Sequence, residues 1–497
     1  MTWQKRNQYQ FPNLTATRRT SMTTAWESSR RRFLQQIGWW GCGLSLSGGL
    51  SESRGSTSGP GQLWESVEWI KAITDPEIRS GVETAITRNL LPAASERQYP
   101  GHFSITADGA AFGADTTWPG LDSWQMAGAY LHLGRQQLVL DYFEFVRAAQ
   151  RRDGHIPFAI FPGSTKSDGK WLRGLRNPED VFTYQPPQRE GAAESSQQTK
   201  QWVGLFEHWQ PKANPLSVLG PVCYLLTAME IFEQTQSATW LQARIASLTA
   251  AAQYLADHAG DNGLISGSGF YMEMPPRFGW DGITQCYVVH AWRALSRLCG
   301  SAGDGDGQLK WEQLANRLRD RFADMFWRDD HFAEYVHQER GVVDAHGLSD
   351  VNWAAVAFGL ADHGQIARLW PRLMKEDGFW VGKMPTQIVT RPFSYEAWEL
   401  HEPLPFPTTS PLNDIAAMGR VWYLEALACR QQAAHERLLT SLRHVCRAAS
   451  AEGYWRERYH PRPDGSVVPA GAEKYCEYPA VLVRIAFACR ACLGDGT

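Results

Sequence analysis

The sequence predicts an all-α protein, an (α/α)6 toroid of helical hairpins with long aromatic loops at one mouth, and three observations carry this prediction. Apolar residues recur at helical spacing along nearly the whole chain after Gly61, with few strand signals. Alternate helices end alike, on an acidic or amide residue followed by Gly or a turn residue and an apolar or aromatic residue: Asp153-Gly154-His155-Ile156, Asn262-Gly263-Leu264-Ile265, Asp330-His331-Phe332, Asp377-Gly378-Phe379-Trp380 and Glu452-Gly453-Tyr454-Trp455. Gly there permits a left-handed helix cap, and the residue after it folds back on the helix just left. The spacing between these units is too uneven, and the loops too long and aromatic, for an open solenoid.

In chain order, helices are expected at about 62–74, 76–91, 120–133, 136–151, 215–234, 238–258, 283–299, 308–326, 350–361, 364–374, 411–430, 432–450 and 476–491. Ahead of them, Ser29-Arg30-Arg31-Arg32-Phe33-Leu34 matches the twin-arginine export pattern, and the mildly apolar Ile37 to Leu50 follows it. Residues 1–55 are therefore expected to be an export signal and linker, with Met22 as the expected start of translation and a periplasmic or extracellular destination. Residues 56–497 are expected to form the catalytic domain. Export by this route follows folding in the cytoplasm, so the cysteines need not pair and are read as mostly buried thiols. A Pro-, Gly- and Gln-rich excursion near 161–211 reads as a long insert, a partial cover over the mouth.

The formal net charge of -3 over 497 residues gives no sign of binding to nucleic acid or to an anionic membrane. No stretch beyond the leader reaches the roughly 18 apolar residues of a membrane span. Neither a Gly-rich phosphate loop nor a Gly-x-Ser-x-Gly turn is present, and no group of His and acids has metal-ligand spacing, so no cofactor and no metal are expected. Oligomeric state is not legible in the sequence. The 22 Trp point instead to stacking of flat ligands, although helix packing also absorbs Trp.

The stretch Phe270 to Leu298 concentrates these features. It is a loop that becomes a helix at Gly279-Trp280-Asp281-Gly282, with Tyr271, Glu273 and Phe278 close by. A carboxylate at that position faces the free N–H groups and positive end of the helix, and Asp281 is an N-cap in either reading. Three other stretches share this character: Asp115 to Trp124, Gly382 to Glu399, and Tyr454 to Tyr478. Each follows an outer-to-inner helix connection and so belongs to one mouth. Carboxylates converging on aromatic walls suit glycosidic cleavage, in which one acid protonates the leaving oxygen and a second activates water. Asp281 and Glu457 are the expected catalytic pair, with a carbohydrate as the partner.

Gly279-Trp280-Asp281, the Trp118-to-Trp124 segment, Lys383-Met384-Pro385-Thr386 and Glu457-Arg458-Tyr459 with Asp464-Gly465, in that order, resemble the six-hairpin inverting α-glycosidases. That group takes in trehalases, mannosylglycerate hydrolases and glycan-trimming glucosidases. The resemblance implies that Asp281 is the general acid, kept protonated by apolar faces around it, and that Glu457 is the general base. It implies that Asp122 binds hydroxyls of the sugar undergoing cleavage, with Trp118, Trp124 and Trp280 lining that subsite. Tyr271, Trp398 and Glu477 complete the expected substrate-binding set, and Glu477 competes with Glu457 as base because trehalases carry theirs in a late Glu-Tyr pair. Two alternatives stand beside this reading: a lyase or other sugar-active enzyme on the same fold, recruiting His290 and Arg277, and a non-catalytic carbohydrate-binding protein.

Overall fold

The computed structural model describes residues 67–96, 98–110, 114–120, 122–162, 181–184, 200–205, 218–266, 275–375, 377–400, 415–462 and 466–494. The twin-arginine segment, most of the 161–211 insert, Tyr271, Glu273 and Asp464-Gly465 lie outside these residues.

The chain is helix-rich. Its main helices are α1 (Pro76–Thr84), α2 (Asp122–His132), α3 (Gln136–Ala148), α4 (Leu219–Thr235), α5 (Ile245–Asp257), α6 (Gly282–Ser301), α7 (Gly305–Phe326), α8 (Asp350–Ala357), α9 (His363–Lys375), α10 (Gly419–Gln431), α11 (His435–Ala448) and α12 (Glu477–Ala488). A π-helical turn, Ala85–Leu90, continues α1.

Two kinds of helix alternate. In α4 and α8 nearly every residue is buried, whereas α9 buries only Leu369 and Leu373, and α11 buries one stripe running from Leu438 through Leu442 to Val445. An all-round apolar helix must be covered on every side, and an amphipathic one needs a single neighbouring face. The all-round helices accordingly form the inner layer, where α2 packs on α4, α4 on α6, α6 on α8, α8 on α10, α10 on α12, and α12 back on α2. Each amphipathic helix lies outside its inner partner: α3 on α2, α5 on α4, α7 on α6, α9 on α8, α11 on α10, and α1 with its π-turn on α12.

The repeated helix-end signature has the expected backbone at three of its glycines, while Gly378 lies in a 3-10 turn, Asp377–Phe379. Gly154, Gly263 and Gly453 take φ of 94°, 77° and 75° after the outer helices α3, α5 and α11. A Cβ on Gly154 would stand 2.1 Å from the Ala250 carbonyl oxygen, so no other residue fits there.

The outer-to-inner connections carry short strands that the helical periodicity conceals. They are β1 (Ala159–Pro162), β2 (Val181–Tyr184) and β3 (Lys200–Leu205) in one antiparallel sheet of order β1-β3-β2, and β4 (Trp280–Asp281), β5 (Tyr335–His337) and β6 (Gly341–Val343) in another. β7 (Trp380–Val381) pairs with β8 (Met384–Pro385), and β9 (Arg458–Pro461) with β10 (Val467–Ala470). The described parts of the insert are thus extended, paired with the strand before it. Of the described cysteines only Cys492 is exposed, and all are free thiols. Cys489 and Cys492 do stand at Cys-x-x-Cys spacing, a pattern that the reading of scattered thiols overlooks.

Candidate active site

Five of the six inner helices carry an ionisable residue at their start: Asp122 on α2, Asp281 as N-cap of α6, Asp350 on α8, Arg420 on α10 and Glu477 on α12. The four carboxylates stand where unpaired N–H groups and the helix dipole favour negative charge. The segment 385–390 ties these starts to one face. Its Ile388 carbonyl accepts from the Asp350 N–H (2.8 Å), its Thr386 carbonyl from the Met418 N–H (3.1 Å), and its Pro385 carbonyl from the Tyr478 hydroxyl (2.6 Å).

Two charged clusters occupy this face. The first centres on Arg277, only 1% exposed, whose guanidinium meets three buried carboxylates: Asp281 at 3.0 Å, Glu334 at 2.8 Å and Asp350 at 2.7 Å. His346 extends it, with Nδ1 at 2.5 Å from Glu334 and Nε2 at 3.1 Å from Glu399, which also accepts from the Tyr335 hydroxyl. Tyr395 stacks on the His346 ring at 3.7 Å. Burial opposes the charge on Glu334, but Arg277 and His346 outweigh it and hold that carboxyl down at about 2. Burial also opposes the charge on His346, which Glu334 and Glu399 nevertheless bring up to about 9. Asp350 moves the other way: burial lifts it to about 6 against the pull of Arg277, and the charges of Asp281 and Glu334 add to the rise.

The second cluster centres on Arg420. Its guanidinium pairs with Glu477 (2.7 Å) and Asp122 (3.3 Å), and the Tyr475 hydroxyl donates to Asp122 (2.5 Å). Glu457 stands at the edge of this cluster, beside the start of β9, with its carboxylate held by Arg458 (2.6 Å) and by the Ala472 N–H (2.8 Å). Burial pushes the Glu477 carboxyl up to about 8 against the pull of Arg420, and Asp122 beside it adds to the rise.

The sequence expectations meet this geometry unevenly. Asp281 is the N-cap of α6, accepting from the Ile283 N–H at 3.1 Å, but the apolar shell expected around it is replaced by a guanidinium and neighbouring acids. Trp280 is half-buried over Gly260. Trp118 (5% exposed) packs edge-on against Phe158, and Trp124 (3% exposed) donates to Glu230 at 2.9 Å. Both rings are therefore buried among the core side chains. Trp398 is half-buried beside Phe278, His337 and Arg340, whose guanidinium lies 4.4 Å from its ring centroid. Asp122 is buried and satisfied by Tyr475 and Arg420. Glu477 is buried and paired with Arg420 at 2.7 Å. His290 is half-buried and stacked on Phe358, and Arg277 makes three ion pairs with buried carboxylates.

Sequence reasoning missed Asp350, Glu334, His346 and Arg420. Asp350 had a signal: it is an acid at the first position of a predicted inner helix, as Asp122 and Glu477 are. The others come from loops or a second helical position and carry none.

The family model described as "Mannosylglycerate hydrolase MGH1-like glycoside hydrolase domain" matches residues 278–475. The chain resembles the six-hairpin glycosidase group, and over that segment it is similar to a glycoside hydrolase domain. No curated protein matches it.

Among solved structures, a GH63 mannosylglycerate hydrolase from Thermus thermophilus in complex with glucose is similar at 15% identity and a TM-score of 0.50, over 74% of this chain and 92% of that one. A glycosidase variant is similar at 15% identity and 0.53, over 85% and 99%. A rhamnosidase from Klebsiella oxytoca with rhamnose bound is similar at 10% identity and 0.52, over 84% of this chain and 64% of that one. The chain spans 35% of the length of a further rhamnosidase, from a Bacillus species.

Proposed function

We propose that this chain is an inverting glycoside hydrolase built as an (α/α)6 toroid and acting on a small α-linked glycoside, with Asp281 as general acid and Glu457 as general base. The observation that carries the reading is positional. Asp281 and Glu457 both fall inside the matched segment 278–475, at the face where the inner helices begin. The closed succession of inner-helix contacts supports the toroid.

In this reading Asp281 gives its proton to the glycosidic oxygen as the bond to the anomeric carbon breaks. Glu457, kept ionised by Arg458 and the Ala472 N–H, takes a proton from water attacking the opposite face of the sugar. Proton NMR of the full chain with α-linked glucosides, mannosides, galactosides and rhamnosides tests it. The expected result is cleavage of one class with the β-anomer appearing first, and loss of at least 100-fold in rate for Asp281→Asn, an estimate at the low end of general-acid catalysis, about 100- to 10,000-fold. An α-anomer appearing first, or an active Asp281→Asn, overturns it.

A further inference from the structure

We propose that the inner layer holds a second binding site at the end away from Asp281, one that takes a single neutral ring bearing several hydroxyls, a monosaccharide or a cyclic polyol. The site does not depend on the reading of Asp281 and Glu457 as acid and base.

A cavity of about 250 Å³ opens between the C-terminal halves of α4, α6, α8 and α10. Along α6, His290 in its wall stands about 13 Å from the helix start that Asp281 caps, at a rise of about 1.5 Å per residue. Packed rings lie between the two levels. Trp124 meets Tyr287 edge-on at 5.9 Å and Tyr423 at 5.7 Å, Tyr287 meets Phe358 at 4.9 Å, and the Arg484 guanidinium lies over Trp124 and Tyr423. The cavity is therefore separate from the charged clusters at the helix starts.

Its polar groups have capacity to spare. His290 stacks on Phe358 with centroids 4.2 Å apart, yet its ring makes no hydrogen bond to a described residue. Burial, with the charges of Arg297 and Arg293 adding, holds the imidazole well below the ordinary histidine range, so near neutral pH it is uncharged and offers one donor and one acceptor. The Tyr423 oxygen accepts from Arg484 at 2.8 Å, which leaves its O–H to donate. Arg430 and Gln431, exposed at the rim, make no side-chain hydrogen bond to a described residue. A hydroxyl both donates and accepts, so a ring carrying several of them matches this mixture.

The charges are largely spent. Arg484 pairs with Glu230 at 2.6 Å and Arg297 with Glu233 at 3.6 Å, while Arg293 donates to the Phe358 and Gly359 carbonyls. The negative ends of the four helices offset the charge left on Arg430, so an anion finds little surplus to bind. Met229, Leu427 and Phe358 supply apolar wall for the C–H face of a ring. The volume lies just under the roughly 300–1,000 Å³ of drug-sized pockets, which limits the ligand to one ring.

The test uses the full chain with isotope-labelled histidine ring nitrogens, titrated with mannose, glucose, rhamnose and myo-inositol and separately with inorganic phosphate. The His290 signals are assigned by their loss in His290→Gln. The expected result is a saturable shift of those signals with at least one of the four hydroxylated rings, at a dissociation constant in the millimolar range. The shift is expected to vanish in Ala294→Phe, whose larger side chain fills the cavity. No saturable shift with any of the four overturns the proposal, and a shift with phosphate alone overturns the neutral ligand. A shift that survives in Ala294→Phe places the ligand elsewhere and overturns the site. Should Ala294→Phe not fold, Leu427→Trp, at a half-buried position of the same wall, carries the same expectation. None of these readouts needs turnover, so loss of the hydrolase reading leaves the site standing, and an empty cavity leaves the hydrolase reading intact.

Discussion

His346 is 1% exposed between Glu334 and Glu399, and its charge links the first cluster to folding. Its folded-state pKa of about 9 stands above the ordinary histidine value of 6.5, so the folded chain binds the proton more tightly than the unfolded one. The resulting stability is fully present below 6.5 and is lost as pH rises through 9. The shift corresponds to on the order of 3 kcal/mol. Glu334 works in the opposite window, where its stabilisation is present above 4.5 and lost as pH falls toward 2. Thermal unfolding should therefore show a steeper decline in stability from pH 6.5 to 9 for the natural chain than for His346→Gln. Parallel curves would mean that the imidazole is neutral in the folded state.

At the scale of elements, the β9–β10 hairpin decides where Glu457 points. Gly471, just after β10, has a φ of 76°, and a Cβ there would stand 2.3 Å from Glu457 Oε2 and 2.6 Å from its Cβ. Gly471→Ala must displace the proposed base and also strain the backbone by about 1–2 kcal/mol. The expected outcome is a fall in kcat of about 100-fold, the cost of misplacing a reacting group by an ångström, with only a modest loss of thermal stability. Unchanged kinetics in this variant would move the base elsewhere. The tryptophans make a related point about elements. Trp124 and Trp398 look alike in sequence, each within two residues of an acid, yet one is buried and the other sits half-buried beside His337 and Arg340. Local sequence does not reveal which of two such rings the packing of the helices will bury.

At the scale of the whole molecule, Arg484 on α12 joins the inner layer across its centre. It donates to the Trp124 carbonyl of α2 (3.2 Å), to Glu230 of α4 (2.6 Å) and to the Tyr423 hydroxyl of α10 (2.8 Å). Arg484→Met leaves the half-buried Glu230 without its cation, and loss of a hydrogen-bonded partner to such a group costs about 1–3 kcal/mol. A lowered unfolding temperature in calorimetry is the expected outcome. Little change would mean that apolar packing alone holds the inner layer together.

What the sequence by itself determined about this protein is the run of helices with apolar residues at helical spacing, the glycine turns between them, and the acid at Asp281 where a loop meets a helix. These follow from local rules, since periodicity, capping and left-handed turns act over a few residues. Only the tertiary structure decided which charges share a site. Arg277, Glu334, His346 and Asp350 are spread over more than seventy residues, and Arg420 meets Asp122 across nearly three hundred. Ion pairs at such separations leave no spacing pattern in a single chain. Packing of the inner helices brings them together, and burial then sets their protonation.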